Sequence, residues 1–167
     1  ISRRAFDRSM YFENGGKIWD KTLVITSPRH FRQSRQWFNR FGILNKKYIS
    51  IFDDTETQLK AILDFKPEII RAYPSTLKNL AIEIKKNEIK GINPRIIFST
   101  AELLTKRDKE FIASTFKAEI FDRYACNECG IVGWECKEHY GYHIESDNVI
   151  VEFMKKDGTE AKPGEEG

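Results

Sequence analysis

Residues 126–143 hold a pattern of sulfur and imidazole that could bind a soft metal. Cys126, Cys129, Cys136 and His139 are spaced C-x2-C-x6-C-x2-H, and His143 follows shortly after. Thiolate and imidazole ligands suit tetrahedral zinc, and both end pairs have ligand spacing. The middle gap is short for the common zinc pattern. A strand rising ~3.3 Å per residue would hold Cys129 and Cys136 too far apart for a ~2.3 Å ligand shell unless the chain bends. A tighter set is Cys136, His139 and His143, with the outer two facing across a hairpin and His139 on its turn. Water, Cys126, Cys129 or an acidic residue would complete it. The plain alternative is a buried Cys136 beside two ordinary histidines. If a metal is held, the expectation is a structural zinc. A cysteine nucleophile lacks a base and an orienting residue that the sequence can place.

The elements that must position these residues alternate in type. Residues 2–14 can form a short helix ended by Gly15-Gly16, and 23–26 is a β-like run stopped by Ser27-Pro28. A helix is expected over 29–41, followed by a strand at 48–52. Asp54 can cap a helix over 55–65 whose stripe is Leu59, Ile62 and Leu63. Strand 68–73 leads to helix 75–88, capped by Ser75, with Leu77, Leu80, Ala81 and Ile84 at buried spacing. Strand 95–99 then precedes helix 105–116, opened by Thr105 and Asp108, and strand 119–122.

This order predicts an α/β fold: a mostly parallel sheet with flanking helices. Residues 1–128 are read as its α/β portion. Residues 129–167 are read as an extension of antiparallel β-hairpins, with 148–154 as its longest strand and Asp157-Gly158 at a turn. Ligands in parallel sheets collect outside the strands' carboxyl ends. Two polar loops fall there, at 99–102 and 123–128.

Composition sets outer limits. The chain has 167 residues, 40% of them hydrophobic, enough for a real core, and a formal charge of only +3. Its basic residues are spread rather than striped, which argues against nucleic-acid binding. The densest basic stretch, 29–47, is interleaved with apolar residues and reads as a solvated helix face. No apolar run reaches the ~20 residues of a membrane span, and no signal peptide is visible. With an odd cysteine count, cytoplasm is the expected location. Both ends read as cut.

Several short segments then fall in a familiar order. Arg71-Ala72-Tyr73-Pro74-Ser75, Phe98-Ser99-Thr100-Ala101-Glu102 and Tyr124-Ala125-Cys126-Asn127-Glu128 are followed by Glu135-Cys136 with His139, by Gly141-Tyr142-His143, and by Gly164-Glu165-Glu166-Gly167. Together they resemble the phenylacetate–coenzyme A ligase and coenzyme F390 synthetase-like branch of the acyl-adenylate-forming (AMP-binding) superfamily. The likeness covers the whole chain and implies an internal part of such a ligase's N-terminal domain.

The resemblance implies that ATP and a carboxylate give an acyl-adenylate, which coenzyme A then converts to a thioester. It places Tyr124 against adenine, Asn127 near the α-phosphate, and Glu128 on Mg²⁺ or the phosphate network. Thr100, Ala101 and Glu102 would line the nucleotide pocket, and a homodimer is compatible with it. The chemistry fits: an aromatic face stacks a base, and a carboxylate supports a hard cation. Joining two anions also needs positive charge, to which Arg123 could contribute.

Alanine stands at 101 and 125 where the pattern has glycine, adding a Cβ where freedom at positive φ is wanted. The phosphate loop, the ribose-binding Asp and the Lys-bearing mobile domain are not in this sequence, so the piece by itself is expected to be inactive. Two other readings stand beside the ligase: a non-catalytic nucleotide-binding regulatory module, and a zinc-stabilised interaction domain.

Overall fold

The computed structural model describes residues 10–31, 42–126 and 128–166. Its strands are β1 (Thr22–Thr26), β2 (Lys46–Ser50), β3 (Ile69–Ala72), β4 (Ile96–Thr100), β5 (Glu119–Cys126), β6 (Gly130–Trp134) and β7 (His143–Ile144). The helices are α1 (Thr55–Phe65), α2 (Pro74–Lys86) and α3 (Lys106–Phe116). All seven strands join one sheet in the order β2-β1-β3-β4-β5-β6-β7. The first five pair in parallel, and β6 and β7 continue antiparallel.

The three crossovers from β2 to β5 all step the same way across the sheet, so right-handed connections put their helices on one face. The core follows that rule. Leu59 and Ile62 of α1, Leu77, Leu80 and Ile84 of α2, and Ile112 and Phe116 of α3 share one cluster with Leu23, Ile25, Ile70, Ile97 and Ile120. The alternate strand residues Ile69, Ile96, Phe98 and Phe121 form a second cluster with Met10, Ile131 and Trp134. Burial on both sides is why β3 and β4 read as apolar runs rather than as alternating strands.

Capping explains where the helices begin. The Asp54 side chain accepts from Thr57 N–H at 2.8 Å, and Thr105 Oγ1 accepts from Asp108 N–H at 3.1 Å. Helix α2 differs from expectation: Tyr73 is its N-cap, Pro74 opens it, and Ser75 lies inside the first turn. Strand β2 begins two residues earlier than the β-rich run at 48–52, and β5 extends to Cys126 rather than ending at Asp122.

Three further expectations are corrected or fall partly outside the described residues. Among the described residues, 148–154 form no strand; the only β-pairing found there is an isolated bridge between Met154 and Glu160. Ile150 is 95% exposed there, so β-prone residues have no neighbouring strand or core to hold them extended. The expected helix over 29–41 lies mostly outside the described residues, with a 3-10 turn at Pro28–His30. Of the expected helix over 2–14, residues 10–13 are helical and 1–9 lie outside the described residues. Among the described residues, no helix is long and apolar enough to cross a membrane.

Phe116 is fully buried at the meeting of α3 and the sheet. Phe116→Ala is expected to destabilise the fold by about 3–5 kcal/mol, measured by urea unfolding. A loss within error of zero would mean that this cluster is not the stabilising core.

Candidate functional site

Strand β5 outruns its neighbour. Arg123 is the last residue paired with β4, opposite Thr100, so Tyr124 to Cys126 project past the carboxyl end of β4 and pair only with β6. A register shift falls between Tyr124 and Ala125. The projection sets Tyr124 in a half-open apolar groove of about 370 Å³, lined by Val132, Gly133, Tyr142, Ile144, Val151 and Phe153. The residue is 64% exposed, which suits a side chain that receives a flat ligand more than one used in packing. Glu128 lies exposed in the β5–β6 turn. Asn127 lies outside the described residues.

The loop after β4 is held by its own polar residues. Thr100 is buried, and its hydroxyl accepts from Arg123 Nε at 3.2 Å and Nη2 at 3.0 Å. Glu102 accepts from Ser75 N–H at 2.9 Å and from Ser75 Oγ at 3.0 Å. A carboxylate at a helix N-terminus meets orphan donors and a favourable dipole. Glu102 therefore ties this loop to the first turn of α2. Ala101 adopts φ 71°, the left-handed region where a Cβ is strained. Ala125 is in a strand and carries no such strain.

A polar network that the sequence did not announce lies behind this edge. Asp122 is buried, accepting from Ser99 Oγ on Oδ1 and from the Tyr142 hydroxyl on Oδ2, both at 2.5 Å. Its N–H donates to Glu135 Oε2 at 2.8 Å, and that oxygen also meets Lys109 Nζ at 2.6 Å. Lys109 contacts His139 Nδ1 at 3.2 Å. Desolvation, and then the hydrogen bond to the Asp122 carboxylate, push the Tyr142 phenol above its ordinary range. The available signal was an acidic residue directly after the apolar pair Ile120-Phe121 in a predicted strand.

The structure does not assemble the zinc sets. Among the described residues, no group of three or more His, Cys, Asp or Glu side chains converges on a metal site. Cys136 packs against the second core cluster. His139 stacks on Phe121 with centroids 5.1 Å apart and faces Glu119 at 3.4 Å, while His143 lies against Trp134. Cys126 and Cys129 do meet, with their sulfurs 2.6 Å apart. Ligand spacing in sequence thus resolved into four placements, none of them a shared ligand set. Glu128 joins no such cluster, but a magnesium ion carried by phosphates needs only one or two protein carboxylates.

No protein-family model matches the sequence, and no curated protein matches it. Solved structures do match its fold. A 2-hydroxyisobutyryl-CoA ligase, determined with 2-HIB-AMP and CoA, superposes with a TM-score of 0.74 at 14% identity, over 96% of this chain and 37% of that one. An anthranilate CoA ligase, AuaEII, determined with anthranoyl-AMP, gives 0.72 at 15%, over 98% and 33%. A benzoate CoA ligase from Burkholderia xenovorans LB400 gives 0.69 at 13%, over 98% and 35%. The chain spans about a third of the length of these proteins. At such identities the likeness is one of fold: a mostly parallel sheet with flanking helices and an antiparallel stretch, shared with part of each of those chains.

Two outcomes follow from the site's geometry. Ala101→Gly is expected to leave the stability unchanged or raise it by up to about 1 kcal/mol, because relief of the left-handed strain offsets the added freedom of the unfolded chain; a clear loss in urea unfolding would contradict the strain. In an alkaline absorbance titration, the difference between the unmutated chain and Tyr142→Phe should show Tyr142 ionising after an ordinary phenol, near pH ~10. The folded state then keeps a proton that the unfolded state releases. Tyr142's contribution to stability is complete below the unfolded pKa and is lost as pH rises through the folded one. Ionisation at the ordinary value would show that the Asp122 contact is absent.

Proposed function

We propose that this chain is the nucleotide-facing part of an ATP-dependent carboxylate–coenzyme A ligase of the phenylacetate–coenzyme A ligase-like branch. The observation that supports it most directly is Tyr124. It is an exposed aromatic ring at the carboxyl edge of the parallel sheet, with Glu128 on the adjoining turn, in a fold shared with ligases solved with acyl-adenylates.

In this reading a carboxylate attacks the α-phosphorus of ATP, pyrophosphate leaves, and the coenzyme A thiol then displaces AMP from the acyl-adenylate. Tyr124 stacks on adenine, while Tyr142, its hydroxyl held by Asp122, closes the groove beside it. Glu128, with Asn127, stands on the phosphate side. Mg²⁺ would neutralise phosphate charge there, held partly by Glu128. Thr100, Ala101 and Glu102 form the loop that borders the pocket, and Arg123 steadies it through Thr100.

The strained Ala101 favours a second reading, a nucleotide-binding module that no longer activates carboxylates. The full-length protein, screened with a panel of aryl and aliphatic carboxylates, separates the two. Carboxylate-dependent pyrophosphate release followed by coenzyme A consumption is the expected result, and nucleotide binding without pyrophosphate for any acid would favour the module. Tyr124→Ala should weaken nucleotide binding by about 1–3 kcal/mol, the usual worth of one base stack. Glu128→Gln should lower kcat more than it raises KM. The 167-residue piece alone is expected to release no pyrophosphate.

A further inference from the structure

The β5–β6 turn brings two of the chain's three cysteines together. Cys126 and Cys129 are both part-exposed free thiols with sulfurs 2.6 Å apart. Backbone geometry maintains the approach. Cys126 is the last β5 residue in register, opposite Gly130, whose φ of 85° turns the chain back. Cys129 N–H donates to Cys126 Sγ at 3.4 Å. From outside the hairpin, Asn148 Nδ2 donates to Cys129 O at 2.7 Å and to Ile131 O at 3.3 Å, pinning the turn. Cys136 instead packs against the second core cluster.

We propose that Cys126 and Cys129 form a redox-active dithiol site, converted by a small-molecule disulfide to an intramolecular disulfide and restored by a thiol reductant. The two thiols are unequal. The Cys129 backbone N–H donates to Cys126 Sγ, a contact that favours the thiolate on that sulfur. Cys126 is the attacking sulfur. Its thiolate bonds to one sulfur of the small disulfide, breaking that S–S bond and expelling one small thiolate. Cys129 then loses its proton to solvent and attacks the Cys126 sulfur. The Cys126–Cys129 bond forms as the mixed disulfide breaks, and a second small thiolate leaves. Two electrons pass from the cysteines to the small disulfide, which ends as two thiols. The site is independent of the adenylation reading, because its readout requires neither carboxylate nor nucleotide.

The test treats the purified full chain, under native conditions, with oxidised glutathione. Remaining thiols are trapped by alkylation in acid, and peptides are weighed by mass spectrometry. The expected product is lighter than the dithiol by two hydrogens, linked between Cys126 and Cys129, without retained glutathione and with Cys136 still alkylated. Cys129→Ser should stop at a mixed disulfide on Cys126, whereas Cys126→Ser should react more slowly, at Cys129. Stable glutathione adducts on both cysteines of the unmutated chain, or a disulfide through Cys136, would overturn the proposal. The pairing is read on the unmutated chain, so a serine variant that fails to fold does not remove the test.

Discussion

The buried carboxylate of Asp122 must be satisfied at the place where the parallel sheet stops and the antiparallel strands begin. A buried charge without partners is costly. Here each carboxylate oxygen has a hydroxyl donor, Ser99 from β4 and Tyr142 from the segment leading into β7. The backbone of the same residue exchanges bonds with Glu135, whose N–H donates to Asp122 O at 3.0 Å and whose side chain takes the Asp122 N–H. Lys109 from α3 then balances Glu135. One residue thus joins a parallel strand, the antiparallel extension and, through Glu135, a helix. The network sets how β6 and β7 sit against the rest of the sheet.

That junction also decides what the site edge presents. Because β5 loses β4 beyond Arg123 but keeps its pairing with β6 on the other edge, its last residues are held in a sheet while one edge of them is uncovered. Tyr124 gains an open face without losing a firm backbone. Tyr142 lines the same groove with its hydroxyl occupied by Asp122, leaving mainly its ring for contact. On the neighbouring loop, Glu102 serves the first turn of α2, and Thr100 receives Arg123. Residues named for a nucleotide pocket thus organise the loops at this edge, so loss of either side chain would disturb the loops' position.

The cysteine–histidine segment shows how linear spacing can mislead. Cys136, His139 and His143 fall close in sequence, but local geometry sends a thiol to an apolar cluster and the two rings onto Phe121 and Trp134. A ligand set requires lone pairs to converge on a point, and spacing alone does not specify that convergence. The C-x2-C pair survives as a contact because Cys126 ends β5 and Cys129 directly precedes β6, which pairs back on it. The same limit applies at 148–154, where β-prone residues found no partner strand.

From sequence alone, the alternation of apolar runs with amphipathic stretches determined the α/β layering, and Asp54 and Thr105 marked two helix starts. Those signals are local, arising from side-chain periodicity and from orphan N–H groups within a few residues. The resemblance pointed to a glycine-like demand at 101 and 125; Ala101 has a φ of 71°, whereas Ala125 lies in a strand. Only tertiary structure decided the overhang of β5, the Asp122 network, the exposure of Tyr124 and the scattering of the metal candidates. Each depends on which distant strand or helix arrives beside a residue, and in this chain Ser99, Asp122, Glu135 and Tyr142 meet only because the sheet reverses direction after β5.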